Sequence, residues 1–266
     1  MITRVFLDMS MIGVASGFIS GFMGAGTGII VVPFLLWYFS QMLGFDSATS
    51  LLVTTSTSIA IMTITSFFNY YFRRHPIVYN RLMYNMLFLI PISSVIGLLL
   101  KPYIAVWVYK IILAIMLVYF GIKMIQQAHS SIASDTHPKL SGAVLYIKCF
   151  FVYILSVIAG TGTGMMLIPV FRSYGLQRED AIATIKLLAI YNCALISLFD
   201  VIINRDLVKL DYCIGTIYIL GFVLISIFNL PSIYLGILVS EKLKSAVFDY
   251  VFACFLFTCA GLLYWL

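Results

Sequence analysis

The stretch Met23–Pro33 reads MGAGTGIIVVP, and Ala159–Pro169 reads AGTGTGMMLIP. Gly24, Gly26, Thr27, Gly28 and Pro33 recur as Gly160, Gly162, Thr163, Gly164 and Pro169, all at an offset of 136. Five matches at one offset mark an internal duplication. Weaker matches extend it: Gly44 with Gly175 and Arg74 with Arg205 at 131, and Gly121 with Gly261 at 140. Between the copies lies the one clear polar interruption, Gln126–Gly142 (QQAHSSIASDTHPKLSG). The chain therefore divides into a first repeat (1–125), a linker (126–142) and a second repeat (143–266).

Outward from the motifs, the chain is overwhelmingly apolar. Of 266 residues, 62% are apolar and 10% charged, against about half and about a quarter in a soluble domain. At about 20 residues per crossing, this content allows about eight spans plus shorter pieces. The apolar runs are Val5–Phe22, Ile29–Phe39, Leu51–Phe72, Leu82–Leu100, Val106–Ile125, Leu145–Ala159, Met165–Phe171, Ile182–Ile203, Tyr212–Leu238 and Val247–Leu266. No period-2 pattern recurs, which argues against a β-barrel and leaves helices. The expected fold is an all-α polytopic membrane protein of two homologous halves. Each half has a Gly-rich broken or re-entrant helix pair and about three spanning helices.

Three glycines in five residues interrupt a helix, since each costs about 1 kcal/mol relative to Ala. Unwound backbone at membrane depth is tolerated only where protein or a watery cavity covers it. Each motif precedes a short apolar run ending in proline, so a half-helix starting near Thr27 or Thr163 has free N–H groups at its start. Those donors and the positive end of the helix dipole favour an anion, and the threonine hydroxyls add donors. Two such ends brought together form a midplane anion site. Close helix packing is the competing use of glycines at this spacing.

The formal net charge of +6 reads as loop charge that sets orientation rather than as a nucleic-acid surface. If each motif sits in a hairpin, the halves are inverted. One side then collects Arg73, Arg74, Arg81, Lys123, Lys139, Lys148, Arg172, Arg178, Lys242 and Lys244, and the other Arg4, Lys101, Lys110, Arg205 and Lys209. Parallel halves split the same charges nine to six. The positive-inside rule favours inversion, with both termini outside.

The two motifs carry a resemblance. The sequence resembles the sulfite exporter TauE/SafE family of membrane permeases, whose signature is a Gly-rich G-x-G-G-G motif, a few apolar residues and a proline, once per half. Gly24, Gly26, Gly28 and Pro33 fit it, as do Gly160, Gly162, Gly164 and Pro169. Thr27 and Thr163 replace the usual middle glycine of the final triplet. The resemblance implies transport of a small anion, such as sulfite, thiosulfate or a sulfonate, by an integral multi-pass protein of a bacterial or archaeal cell membrane.

Other polar residues sit in the apolar runs. Lys186, in TIKLLAIYN, marks function if it lies deep, or snorkels to the interface from near the start of its run. Thr55, its counterpart at offset 131 in the cluster Thr54–Ser58, lines the pathway or bonds back to its own helix. Asn192 donates to an anion or bridges helices. Asp200, opposite Asn69 in the repeat, carries a coupling proton or serves as a cap or salt-bridge partner. Arg172 attracts anions at a mouth or anchors topology.

The expected substrate-binding set is Gly24, Gly26, Thr27, Gly28, Thr55, Gly160, Gly162, Thr163, Gly164, Lys186 and Asn192. His75, His129 and His137 fall in loops without a ligand pair, and the five cysteines form no C-x-x-C, so no metal site is expected. No cofactor or catalytic residue is expected, and no Walker motif is present. The partners implied are a small anionic substrate and the lipid bilayer, with a homo-oligomer left open. The leading expectation is a secondary transporter; its rivals are an anion channel and a membrane enzyme or scaffold subunit.

Overall fold

A computed structural model describes residues 2–24, 27–72, 81–129, 143–176, 178–205, 208, 212–243 and 245–265. The first half folds as α1 (Ile2–Met23), α2 (Gly28–Trp37, continued by a π turn over Tyr38–Met42), α3 (Ser47–Phe72), α4 (Arg81–Leu100, followed by a 3₁₀ turn over Lys101–Tyr103) and α5 (Val106–His129). The second half repeats the order as α6 (Ala143–Ala159), α7 (Gly164–Ser173), α8 (Arg178–Ile203), α9 (Ile219–Glu241) and α10 (Ser245–Trp265). A two-stranded hairpin, β1 (Cys213–Ile214) and β2 (Ile217–Tyr218), sits between α8 and α9. Among the described residues, six helices are long and apolar enough to cross a membrane: α1, α3, α4, α5, α8 and α9. The shorter apolar helices are that of the first motif, Gly28–Met42, together with α6 and most of α10. The protein is an integral, multi-pass membrane protein.

Helix α5 runs through His129, four residues into the polar segment between the repeats. His129 thus ends a helix rather than lying in a loop. Gly26, Arg73, Arg74, His75, His137, Lys139, Lys209 and Lys244 lie outside the described residues.

Local chemistry sets the breaks. Both α1 and α6 end on a glycine in the left-handed region, Gly24 at φ +67° and Gly160 at φ +64°. The Gly24 and Gly160 N–H groups close the last turns onto the Ser20 and Ser156 carbonyls at 2.9 and 3.0 Å. This stop is available to glycine at no steric cost. Helix α3 is started by Asp46, whose Oδ2 accepts from the Ala48 and Thr49 N–H groups at 3.1 Å each, an N-cap that satisfies two orphan donors.

The packing comes in matched pairs. Helix α1 packs on α9 and α6 on α4; α3 on α9 and α8 on α4; α2 on α3 and α7 on α8. The equivalent helices α3 and α8 pack on each other, as do α5 and α10. Proline interrupts two equivalent pairs of helices: Pro33 and Pro169 in α2 and α7, and Pro91 and Pro231 in α4 and α9. Gly13, Gly17 and Gly21 of α1 face Ile225, Asn229 and Ile233 of α9 in the same chain order, so the two helices run parallel at close range. A Cβ on Gly13 would sit 2.8 Å from the Ile225 carbonyl oxygen. This is the close approach that small residues permit between membrane helices. The α3–α8 contact runs the other way: Asn69 meets Lys186, and Met62 meets Cys193.

Large apolar side chains such as Met11, Phe88, Trp107 and Ile115 point outward, while a core around Met86, Tyr109, Tyr153, Phe171 and Phe252 fills the interior. Buried among them is an unusual number of hydroxyl and amide groups, concentrated on α3, with a smaller set on α9.

Candidate functional site

The two motif tips touch. Gly28 packs so closely on Gly160 and Thr161 that a Cβ there would sit 2.5 Å from the Gly160 carbonyl oxygen. A Cβ on Gly160 would sit 2.8 Å from Cα and Cβ of Thr55, and one on Gly24 2.7 Å from Cγ2 of Ile182. Each tip is therefore held against the long central helix of the other half. Ser58 adds a hydrogen bond from its hydroxyl to the Gly160 carbonyl at 2.8 Å.

Beside the tips is a narrow cavity of about 10 Å³, room for about one water. Gly24 contributes from the first motif and Gly162, Thr163 and Gly164 from the second; Met62, Ser66 and Asn69 of α3 and Ile185, Lys186, Ala189 and Cys193 of α8 complete it. Among the described residues, the lining carries one lysine and no carboxylate. The Lys186 ammonium donates to the Asn69 carbonyl at 3.2 Å and is buried. Asn69 donates its Nδ2 to Ser20 at 2.9 Å, while its Oδ1 has no partner. Lys186 therefore belongs to the interior and does not snorkel.

Thr27 and Thr163 are the N-caps of α2 and α7, both with helical backbone and neither capping through its side chain. Their hydroxyls, with that of Thr161, are buried and without a hydrogen-bond partner. A buried unsatisfied hydroxyl costs about 1–3 kcal/mol, so these groups are poised to receive a bound polar group. The first N–H groups of a helix also lack intrahelical acceptors. Thr163 and Gly164 line the cavity, so α7 presents its start there. Gly28 at the start of α2 abuts the second tip instead.

The remaining expected residues lie apart from the lining. Thr55 turns its hydroxyl back to the Leu51 and Leu52 carbonyls at 2.8 and 3.2 Å. Asn192 is buried on α8, where its Oδ1 accepts from Ser94 of α4 at 3.2 Å and its Nδ2 has no partner. Asp200 is buried, faces Lys101 at 4.0 Å and accepts from Asn204 Nδ2 at 2.6 Å. Arg172 donates to Asp249 of α10 at 2.5 Å in a second buried pair, so it is no open mouth charge.

Sequence reasoning missed Lys101, which it placed among loop charges, and Asp249. It also passed over Met62, Ser66 and Cys193, although Met62 and Cys193 are equivalent at the offset of 131 that relates Thr55 to Lys186.

The family model described as "Sulfite exporter TauE/SafE" matches residues 9–263 of the chain. Members of that family are membrane transporters and not enzymes, which removes the enzymatic rival. A search among curated proteins finds no match.

Proposed function

The chain belongs to the sulfite exporter TauE/SafE family, and on that premise we propose that it is a secondary transporter for a small anion, with sulfite, thiosulfate and sulfonates the leading candidates. The substrate site is the cavity at the motif tips. The observation that carries this reading is the convergence of both Gly motifs, the buried Lys186 ammonium and the unpartnered Thr163 hydroxyl on one cavity. Lys186 supplies charge, Thr163 and the first N–H groups of α7 supply donors, and Gly24 and Gly162 let backbone approach the ligand.

An oxyanion of several heavy atoms exceeds a cavity of about 10 Å³, so binding requires the walls to part. Alternating access of two repeats about this site provides that movement. The repeats are inverted in this account: equivalent helices α3 and α8 pack side by side in opposite directions, which two crossings related by a membrane-plane axis must do. Taking the buried, ion-paired Lys101 and Arg172 out of the loop charges changes ten against five to nine against four. The end carrying Arg178, Lys123 and Lys148 is then cytoplasmic, and the chain ends lie outside. The setting is a bacterial or archaeal cell membrane.

Counterflow in proteoliposomes tests the reading. A carrier takes up labelled sulfite or thiosulfate with saturation, accelerated by the same anion on the far side. Conductive, unsaturable flux would make the protein a channel. Absence of flux for sulfite, thiosulfate and sulfonates alike would overturn the assignment.

A further inference from the structure

On the side of Met62 and Cys193 away from Lys186, two layers fill the space between the halves. The first is apolar: Ile59, Met62, Leu98, Val157, Cys193 and Ile196 form one buried cluster. The second is polar and buried. The Lys101 ammonium, at the end of α4, donates to the Ser56 hydroxyl at 2.5 Å and faces the Asp200 carboxylate at 4.0 Å. Asp200 also accepts from Asn204 Nδ2 at 2.6 Å and from the Thr216 hydroxyl of the β1–β2 turn. Thr216 shares a 2.7 Å hydrogen bond with Ser56. Tyr218 N–H donates to Thr57 at 2.9 Å, which docks the hairpin on α3.

Position and connectivity give this layer its meaning. Ser56 precedes Met62 by six residues on α3, and Asp200 follows Cys193 by seven on α8, so the network lies about 9–10 Å beyond the cavity on both helices. It joins α3 and α4 of the first half to α8 and the hairpin of the second. The Arg172–Asp249 pair, by contrast, joins α7 to α10 within one half. The repeat image of Asp200 is Asn69, a neutral amide. Among the described residues, the Lys101–Asp200 tie between halves thus lies at one end.

We propose that Lys101 and Asp200, with Ser56 and Thr216, form the latch of the gate at this end. They hold the halves together while the site is closed to that side, and they part when it opens there. Parting leaves two charges in need of new partners, so the open form is the minor one until ligand or water compensates. This inference rests on the transport reading, but its main test does not need a known substrate.

The test uses the protein's own cysteines. In the full-length chain with C213A, C254A and C259A, Cys193 reports the cavity and Cys149, fully buried in the main core, reports unfolding. A membrane-impermeant maleimide is added to sealed vesicles from the face bearing the N-terminus, and each site is scored by peptide mass spectrometry. K101M and D200N are expected to label Cys193 about tenfold faster than the parent, with Cys149 unchanged, as a shift toward the open form requires. Unchanged Cys193 labelling in both variants would overturn the latch. Equal acceleration at Cys149 in both would assign the pair to the fold and overturn it too.

A second arm uses S56C/T216C, where the hydroxyl separation of 2.7 Å brings two thiols within disulfide reach. Oxidation should abolish thiosulfate counterflow and reductant should restore it; full flux with the disulfide formed would contradict the latch. If the reduced protein carries no thiosulfate, the transport reading fails for that anion, and the labelling arm alone decides the latch.

Discussion

Replacing Gly160 by alanine should be among the most damaging single-methyl additions in this protein, and the cost can be assembled from its surroundings. Gly160 has φ +64°, and a left-handed backbone costs an L-residue about 1–2 kcal/mol. The new Cβ would also lie 2.8 Å from Cα and Cβ of Thr55, backbone that cannot swing aside. Overpacking of this kind adds about 1–3 kcal/mol. The sum is about 2–5 kcal/mol, or about 4–20 °C in Tm at about 2–4 °C per kcal/mol for a chain of this size.

Two controls separate the terms. Gly44 has φ +68° with nothing within 4 Å, so Gly44→Ala isolates the backbone strain at about 1–2 kcal/mol. Gly28 is helical, and its Cβ would meet Gly160 and Thr161, so Gly28→Ala isolates the collision at about 1–3 kcal/mol. Thermal unfolding in one detergent, followed by intrinsic fluorescence, ranks the three. A Gly160→Ala protein no less stable than Gly44→Ala would refute the contact between motif tip and α3.

Further expectations follow from the same geometry. Thr163→Val removes a hydroxyl that has no partner, so Tm should hold or rise while sulfite affinity falls about 5–10-fold, the scale of one hydrogen bond; Thr27→Val, outside the cavity lining, should have the smaller effect on affinity. Lys186→Met should abolish saturable anion uptake, and Lys186→Arg should retain only part of it, because a guanidinium is larger than the ammonium that fits beside Asn69; uptake by Lys186→Met at the parent rate would contradict the site. Asp46 is exposed, and hydrogen bonds from the Thr49 side chain and backbone hold its carboxyl below its ordinary value of 3.8. Its cap should therefore stabilise α3 fully above that value and fade as pH falls through the lower folded value. The Tm gap between the parent and Asp46→Ala should be constant near neutrality and close in strong acid. A gap that persists there would assign the effect to packing.

The fold was legible where a local rule leaves few options. Three glycines in five residues within an apolar run demand a break, and recurrence of the pattern demanded two of them. Lys186 announced itself because an ammonium inside such a run has few tolerable surroundings. The α1–α9 interface left a trace in the sequence, as Gly13, Gly17 and Gly21 at intervals of four, but nothing local to α1 names its partner helix.

The hydroxyl cluster Thr54–Ser58 resisted reading because successive helical residues point about 100° apart. Thr55 bonds backward, Ser56 faces Lys101, Thr57 holds the hairpin and Ser58 holds the second motif. Which face does which depends on neighbours far away in the chain. Lys101 and Asp200 are 99 residues apart. A lone Lys-Pro after a helix looks like a loop charge until packing folds it inward, and Asp249, near the start of α10, is concealed for the same reason.

Binding of small anions to the purified protein, followed by titration calorimetry, tests the central claim most directly: one site at the meeting of the two motifs holds the substrate. At least one of sulfite, thiosulfate or a sulfonate should bind saturably, more weakly to Thr163→Val and not to Lys186→Met, while both variants remain folded. Anion binding that is indifferent to both substitutions would place the substrate elsewhere and contradict that claim.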